Sequence, residues 1–426
     1  MNGPRQHLSH SLAWRGAAVL AGALLFLSLS VRAQAQTFHV IHSFSGGADG
    51  ATPVAGLSID RAGRLYGTAS AGGLVLNDCP SQGCGTAFRL QPAGEGWFLL
   101  PLYSFKGGSD GYSPGARMTF GANGLLYGTT ELGGGNACYY STCGTAFQLS
   151  PPAAACKNAI CSWNESVIHR FEPTPAPGNP FPGPLVFDQA GNLYGYANQG
   201  AYYYGANYEL SPGSDGWTIT SLFNWPDGGA ESGVVFGADG NLYGPNEGAG
   251  YGGIYQLQHT GSSWTPNQLF TIIDIEDDGY VTEGGVVLDN AGNVYGSTLA
   301  YGPNGGGTVF ELSAGTWNFT LLYGFSGNGG PEESLSMDSA GNLYGTTNAD
   351  GAYNKGNVFK LTPSANGWTY TDLYDFTGGS DGGYPISNVV VDAQGNLYGT
   401  TAYGGSGPCT SRYNGNGCGT VWEITP

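Results

Sequence analysis

The tripeptide Leu-Tyr-Gly recurs at Leu65-Tyr66-Gly67, Leu126-Tyr127-Gly128, Leu193-Tyr194-Gly195, Leu242-Tyr243-Gly244, Leu343-Tyr344-Gly345 and Leu397-Tyr398-Gly399, with Val294-Tyr295-Gly296 as a seventh copy. The copies stand 49 to 67 residues apart along a chain of 426. A period of that length marks stacked supersecondary units, none of which can bury its apolar face alone. Each unit reads as four short strands. An apolar run such as Val389-Val390-Val391 ends at Asp392 and enters an Asp-x-x-Gly-Asn connection, in which Asp can accept backbone hydrogen bonds while Gly and Asn tolerate positive φ. Leu-Tyr-Gly-Thr-Thr is the second strand. The third carries an aromatic at its fourth position: Phe88, Phe147, Tyr208, Tyr255, Phe310, Phe359 or Trp422.

The fourth strand opens on Trp97, Trp163, Trp217, Trp264, Trp317 or Trp368, and six residues later comes Tyr103, His169, Phe223, Phe270, Tyr323 or Tyr374. An even spacing places the two on one face of a regular strand, so each fourth strand is expected to show a single aromatic face. The seventh unit has no such strand before the chain stops at Pro426, whereas Phe38-His39-Val40-Ile41-His42-Ser43-Phe44 matches Val167-Ile168-His169-Arg170-Phe171. The expected fold is therefore all-β: a seven-bladed β-propeller of four-stranded blades, closed by the N-terminal strand completing the last blade. Closure removes the free strand edges that an open array would expose.

Residues 1–35 read as a cleaved signal peptide: Arg5 and Arg15, an apolar run from Gly16 to Val31, then Ala33-Gln34-Ala35. The single propeller domain is expected over residues 36–426, secreted or periplasmic, monomeric, with no transmembrane span in the mature chain. Losing three arginines moves the formal charge from −18 to −21, which disfavours nucleic acid. The eight cysteines fall into local pairs, Cys79/Cys84, Cys138/Cys143, Cys156/Cys161 and Cys409/Cys418, which an exported chain would oxidise to disulfides.

The pattern Gly-Gly-x-Asp-Gly, Asp-x-x-Gly-Asn-Leu-Tyr-Gly-Thr-Thr, Gly-Thr-Val-Phe-x-Leu resembles the GloVer tandem repeat of the choice-of-anchor family of bacterial exported proteins, and its Asp-x-x-Gly-Asn-Leu-Tyr core is similar to NHL-type propeller repeats. The resemblance implies export and a repeat fold and carries over no catalytic residue or cofactor.

Motifs with chemical overtones have plainer readings. Gly107-Gly108-Ser109-Asp110-Gly111 matches a nucleophile elbow but joins two strands, and Gly248-x-Gly250-x-x-Gly253 matches a dinucleotide fingerprint with no helix to follow. Asp274-x-Glu276-x-Asp278-Gly279 opens like a calcium loop but lacks the closing Glu, so no metal site is assigned. His169 and His42 fill a slot given elsewhere to Tyr or Phe and read as structural. His39 and His42 are expected on opposite strand faces, which would exclude a shared metal. The remaining signal is a loop face rich in acid and Tyr: Asp49, Asp110, Asp227, Asp278, Glu283 and Asp381 with Tyr203, Tyr251, Tyr301 and Tyr403. Such a face suits a glycan, a cation-bridged ligand or a basic protein, making the chain a binding module. The alternative is an extracytoplasmic propeller enzyme, lactonase-like or glycan-cleaving.

Overall fold

The computed structural model describes residues 36–94, 96–135, 143–152, 162–172, 178–180, 184–199, 205–226, 232–246, 251–280, 284–410 and 415–426, without the side chains of 178–180 and 198–199. The leader and its cleavage site, Asp227, Glu283, Tyr203, Cys138, Cys156, Cys161 and most of the Gly248–Gly253 motif lie outside the described residues.

Seven antiparallel sheets follow one another along Thr37–Thr425. Blade one runs Leu57–Ile59, Leu65–Ala69, Thr86–Ala93, Gly96–Ser104, in sheet order equal to chain order, and blades two, four, five and six repeat that order. Blade three adds a strand, Gly178–Pro180, beside Leu193–Gln199, which the repeat did not foretell. Blade seven is a composite. Its outer strand is Thr37–Ser43, paired antiparallel with Thr420–Thr425 from Thr37 opposite Thr425 to Ser43 opposite Thr420. The strand also grips both neighbours: Phe38 stacks on Tyr374 of blade six at 3.6 Å, while buried Phe44 meets Phe88 of blade one edge-on at 5.2 Å. The ring closes as the strand count requires.

The repeat residues explain their own recurrence. Gly345 pairs with Phe359 across the sheet, and a Cβ there would sit 2.6 Å from the Phe359 ring, so the third-strand aromatic lies over a glycine that leaves it room. The glycine of Leu-Tyr-Gly thus serves packing within the sheet, apart from the glycines of the turns. Asp338 holds the hairpin: Oδ1 accepts from Ala340 and Asn342 N–H, and Oδ2 from Asn342 Nδ2 and from Tyr344 OH at 3.0 Å. Burial raises the Asp338 carboxyl, but these donors outweigh it and hold it below its ordinary value. The same repeat Tyr packs on the Trp of the next blade, with Tyr398–Trp97, Tyr66–Trp163, Tyr127–Trp217, Tyr194–Trp264, Tyr243–Trp317 and Tyr295–Trp368 centroids 5.6 to 6.3 Å apart. One side chain thus ties a turn to a blade–blade seam.

The expectation of one aromatic face per fourth strand is overturned. Every third-to-fourth strand pair carries a register shift; in blade one Trp97 opposes Pro92 and Pro101 opposes Phe88, but Tyr103 opposes Ala87. The extra residue, Leu102, reverses the parity. Trp97 therefore packs toward blade seven, while Tyr103 and Phe105 pack toward Phe147 of blade two. The same bulge, at Ile41, puts His39 opposite Glu423 and His42 opposite Val421, on one face rather than two.

Cys79–Cys84 and Cys409–Cys418 are disulfides, and Cys143 is disulfide-bonded. Among the described residues no helix is long and apolar enough to cross a membrane.

Candidate functional site

Residues just before the first strands of five blades, Ala55, Arg117, Pro184, Glu333, Ser334 and Asn388 among them, line a cavity of about 40 Å3. It has room for about one water. Burial lowers the pKa of the Arg117 guanidinium and the charge of Glu333 opposes that shift.

The Gly-Gly-x-Asp-Gly loops staple themselves. Asp110 accepts from Tyr103 OH and from Lys106 N–H, both at 2.8 Å, and Asp381 likewise from Tyr374 OH at 3.1 Å and Thr377 N–H at 2.8 Å. Asp49 accepts from Ser45 N–H at 2.8 Å and from His42 Nε2 at 3.1 Å. Burial works against the Asp49 charge, but His42 and Ser45 prevail and lower its pKa. These acids shape their loops first. Ser109 of the elbow-like motif lies in a one-turn 3-10 helix, Gly108–Asp110, and its carbonyl accepts from Arg170 Nε. Asp274 caps the short helix Ile275–Asp278, and burial raises the Asp278 carboxyl. Tyr403 is 6% exposed and stacks on Tyr384, a correction to its expected place on an open face. Tyr251 and Tyr301 share a neighbour: each packs against Tyr280, at 5.8 and 5.7 Å, and all three are exposed.

Asp110 stands apart from Asp49 and Asp381 through a neighbour that the sequence reading missed. The fourth-strand residue opposite the inner Leu or Ile of the third strand is Leu99, Ile219, Pro266, Phe319, Tyr370 or Phe38, but in blade two it is Glu165. In three seams this residue stacks on the aromatic of the preceding blade: Phe38 on Tyr374, Tyr370 on Tyr323 and Phe319 on Phe270. Between blades one and two a carboxyl replaces the ring. The signal was present as the second residue after each Trp that opens a fourth strand, charged only in Trp163-Asn164-Glu165.

Glu165 lines a cleft of about 580 Å3 together with Leu74, Tyr103, Lys106, Asp110 and Trp163 among others. Its volume falls in the range of small-molecule sites. Burial first, then the charge of Asp110 and a hydrogen bond with it, push Glu165 up to about 8, against the opposing pull of Lys106 and Arg170. Glu165 Oε1 is buried with no N–H or O–H donor against it among the described residues. The Lys106 ammonium lies 5.2 Å above the Tyr103 ring. Leu74, Val75 and Leu76 stand exposed at 43, 65 and 45% on the adjoining loop.

Residues 140–328 and 181–413 match the repeat family described as Gloeobacter/Verrucomicrobia repeat. No curated protein matches the chain. Solved structures with a similar fold include a protein from Lactobacillus plantarum, 13% identical, TM-score 0.49, covering 79% of this chain and 88% of that one. A putative 6-phosphogluconolactonase from Bacteroides fragilis is 14% identical, TM-score 0.44, with 74 and 83% covered. A putative oxidoreductase (glucose dehydrogenase) from Thermus thermophilus is 12% identical, TM-score 0.41, with 91 and 99% covered.

Proposed function

The chain belongs to the Gloeobacter/Verrucomicrobia repeat family, and on that premise we propose that it is an extracytoplasmic binding propeller which holds a glycan in the cleft between blades one and two. The observation that carries this reading is Glu165, a carboxyl standing where the other blades place an apolar or aromatic side chain. A buried acid in an otherwise apolar seam costs stability, and departures of that kind concentrate where a protein binds or reacts. Around it are the parts a sugar needs: the Trp163 and Tyr103 rings for an apolar sugar face, and Asp110, Lys106 and Glu165 for hydroxyls. The local disulfides support an oxidising compartment.

A hydrolytic reading draws on the proton that Glu165 keeps near neutrality, as a general acid requires. A glycoside-cleaving pair needs a second carboxyl free to act as base or nucleophile, whereas Asp110 already accepts from Tyr103 OH and Lys106 N–H. Binding is the better fit. A glycan panel on the full chain tests it: Glu165→Leu should weaken binding at least tenfold, while Tyr301→Ala leaves it unchanged. Loss with Tyr301→Ala and not with Glu165→Leu would move the site to the exposed tyrosines of blades four and five.

A further inference from the structure

We propose a second binding site, for a neutral saccharide, in the cleft between the hairpins of blades two and three, where the Tyr127 hydroxyl donates to the sugar while Trp217 and Phe187 cover its apolar face. The repeat tyrosine is bonded in the same way almost everywhere. Tyr66, Tyr194, Tyr295, Tyr344 and Tyr398 donate to the Asp that opens their own hairpin, at 3.0 to 3.2 Å. Blade four has Gly237 at that position and recovers the bond from Asp239, two residues on, which accepts from Tyr243 OH at 2.8 Å. Blade two has Gly121 there as well, but two residues on stands Asn123. Leu125 N–H donates to Asn123 Oδ1 at 3.0 Å, which turns Nδ2 onto Tyr127 OH at 3.1 Å. The Tyr127 hydroxyl therefore accepts where the other six donate, and its own proton meets no acceptor among the described residues.

Tyr127 is 3% exposed, and a buried donor left unpaired costs stability that its hairpin does not recover. Tyr127, Asn123, Gln148, Phe187 and Trp217, among others, line a cleft of about 490 Å3, a volume in the range of small-molecule sites. Phe187 and Trp217 stand edge-on to the Tyr127 ring at 5.1 and 5.9 Å, so three rings converge there. Free charge is missing: no Lys, Arg or His lines the cleft among the described residues, and the oxygens of its one acid, Asp188, already accept from Asn192 and Tyr194. An ion would find no counter-charge in such a lining. A neutral sugar instead offers an oxygen to the Tyr127 O–H, hydroxyls to the Gln148 and Asn123 amides, and an apolar ring face to the aromatics. None of these residues lines the cleft of Glu165, so the two sites stand or fall separately.

The experiment is calorimetry on the full chain in a Glu165→Leu background, which takes the acid from the other cleft, with maltotriose, cellotriose and tri-N-acetylchitotriose as probes. At least one of the three should bind. Tyr127→Phe deletes the O–H and keeps the ring. Asn123→Asp gives that proton the carboxylate that blade four uses, so this variant should melt no lower than its background and yet bind less. Each change should weaken binding at least about threefold, the scale of one neutral hydrogen bond. A smaller loss in either variant, or no binding by any of the three probes in protein whose melting is cooperative, overturns the site. Tighter binding of trigalacturonate than of every neutral probe overturns the neutral class of ligand.

Discussion

Replacing Glu165 by Leu, the residue that blade one carries at the matching position as Leu99, should make the protein more stable, and only above a certain pH. Glu165 is raised from 4.5 to about 8. Below pH 4.5 the folded and unfolded chains both hold the proton and the acid adds no pH dependence. Between the two values only the folded chain holds it, so stability falls as pH rises, and above pH 8 the deficit is complete. At about 1.4 kcal/mol per pH unit the full span is worth ~5 kcal/mol, and solvent at the cleft mouth screens it to roughly half. The variant should therefore gain ~2 kcal/mol over the parent at pH 8.5 relative to the difference at pH 4. For a chain of this size that is a rise in Tm of about 3 °C. Urea unfolding at pH 4, 6 and 8.5 reads the effect directly. A constant difference between variant and parent across the three pH values would refute the reasoning, because it would show that the acid is not held protonated by Asp110 and its burial.

Three further outcomes follow from the packing. Phe44→Ala empties a fully buried site against Phe88 and should cost about 3–5 kcal/mol; denaturant midpoints matching the parent would mean that the N-terminal strand does not secure the ring. Gly345→Ala places a Cβ 2.6 Å from the Phe359 ring and should cost about 1–3 kcal/mol through overpacking, whereas the same change at Gly367, where a Cβ meets nothing within 4 Å but φ is +109°, tests backbone strain alone. His169 is lowered to about 4 by burial, so the folded chain resists a proton that the unfolded chain accepts near pH 6.5, and stability is lost as pH falls between those values. His169→Phe should be nearly neutral at pH 8 and ~1–2 kcal/mol more stable than the parent at pH 5; loss of ligand binding without a change in melting would instead assign the imidazole a functional role.

The fold could be read from the sequence because every blade repeats the same physical solution. Tyr295 bonds the turn acid Asp289 and abuts Trp368, Gly296 makes room for Phe310, and such sets repeated from blade to blade leave little freedom. Ring closure followed from counting strands. What could not be read was the side to which a fourth-strand residue points, since the bulge at Leu102 leaves no local mark and reverses the parity of Tyr103. Without that reversal Tyr103 faces away from Glu165, and the pair is invisible. Asp110 was legible as an acid in a loop, but its partner lies on another blade 55 residues on, and loop composition says nothing about contacts made across a seam. Asp49 and Asp381 make the same kind of local hydrogen bonds as Asp110, so nothing in the loop sequence marks Asp110 out from them.

The strand Thr37–Ser43 has a consequence in time as well as in space. It leaves the ribosome among the first residues of the propeller, and its partner, Thr420–Thr425, among the last. Until that partner is in place the early segment has nowhere to dock, and any stack of blades without it keeps an open end. Contacts that join sequence-distant segments form slowly because the intervening chain must first be gathered in. The closing step is therefore reserved for a finished chain, and a polypeptide released short of residue 420 keeps an unpaired sheet edge that proteases and neighbouring chains can reach.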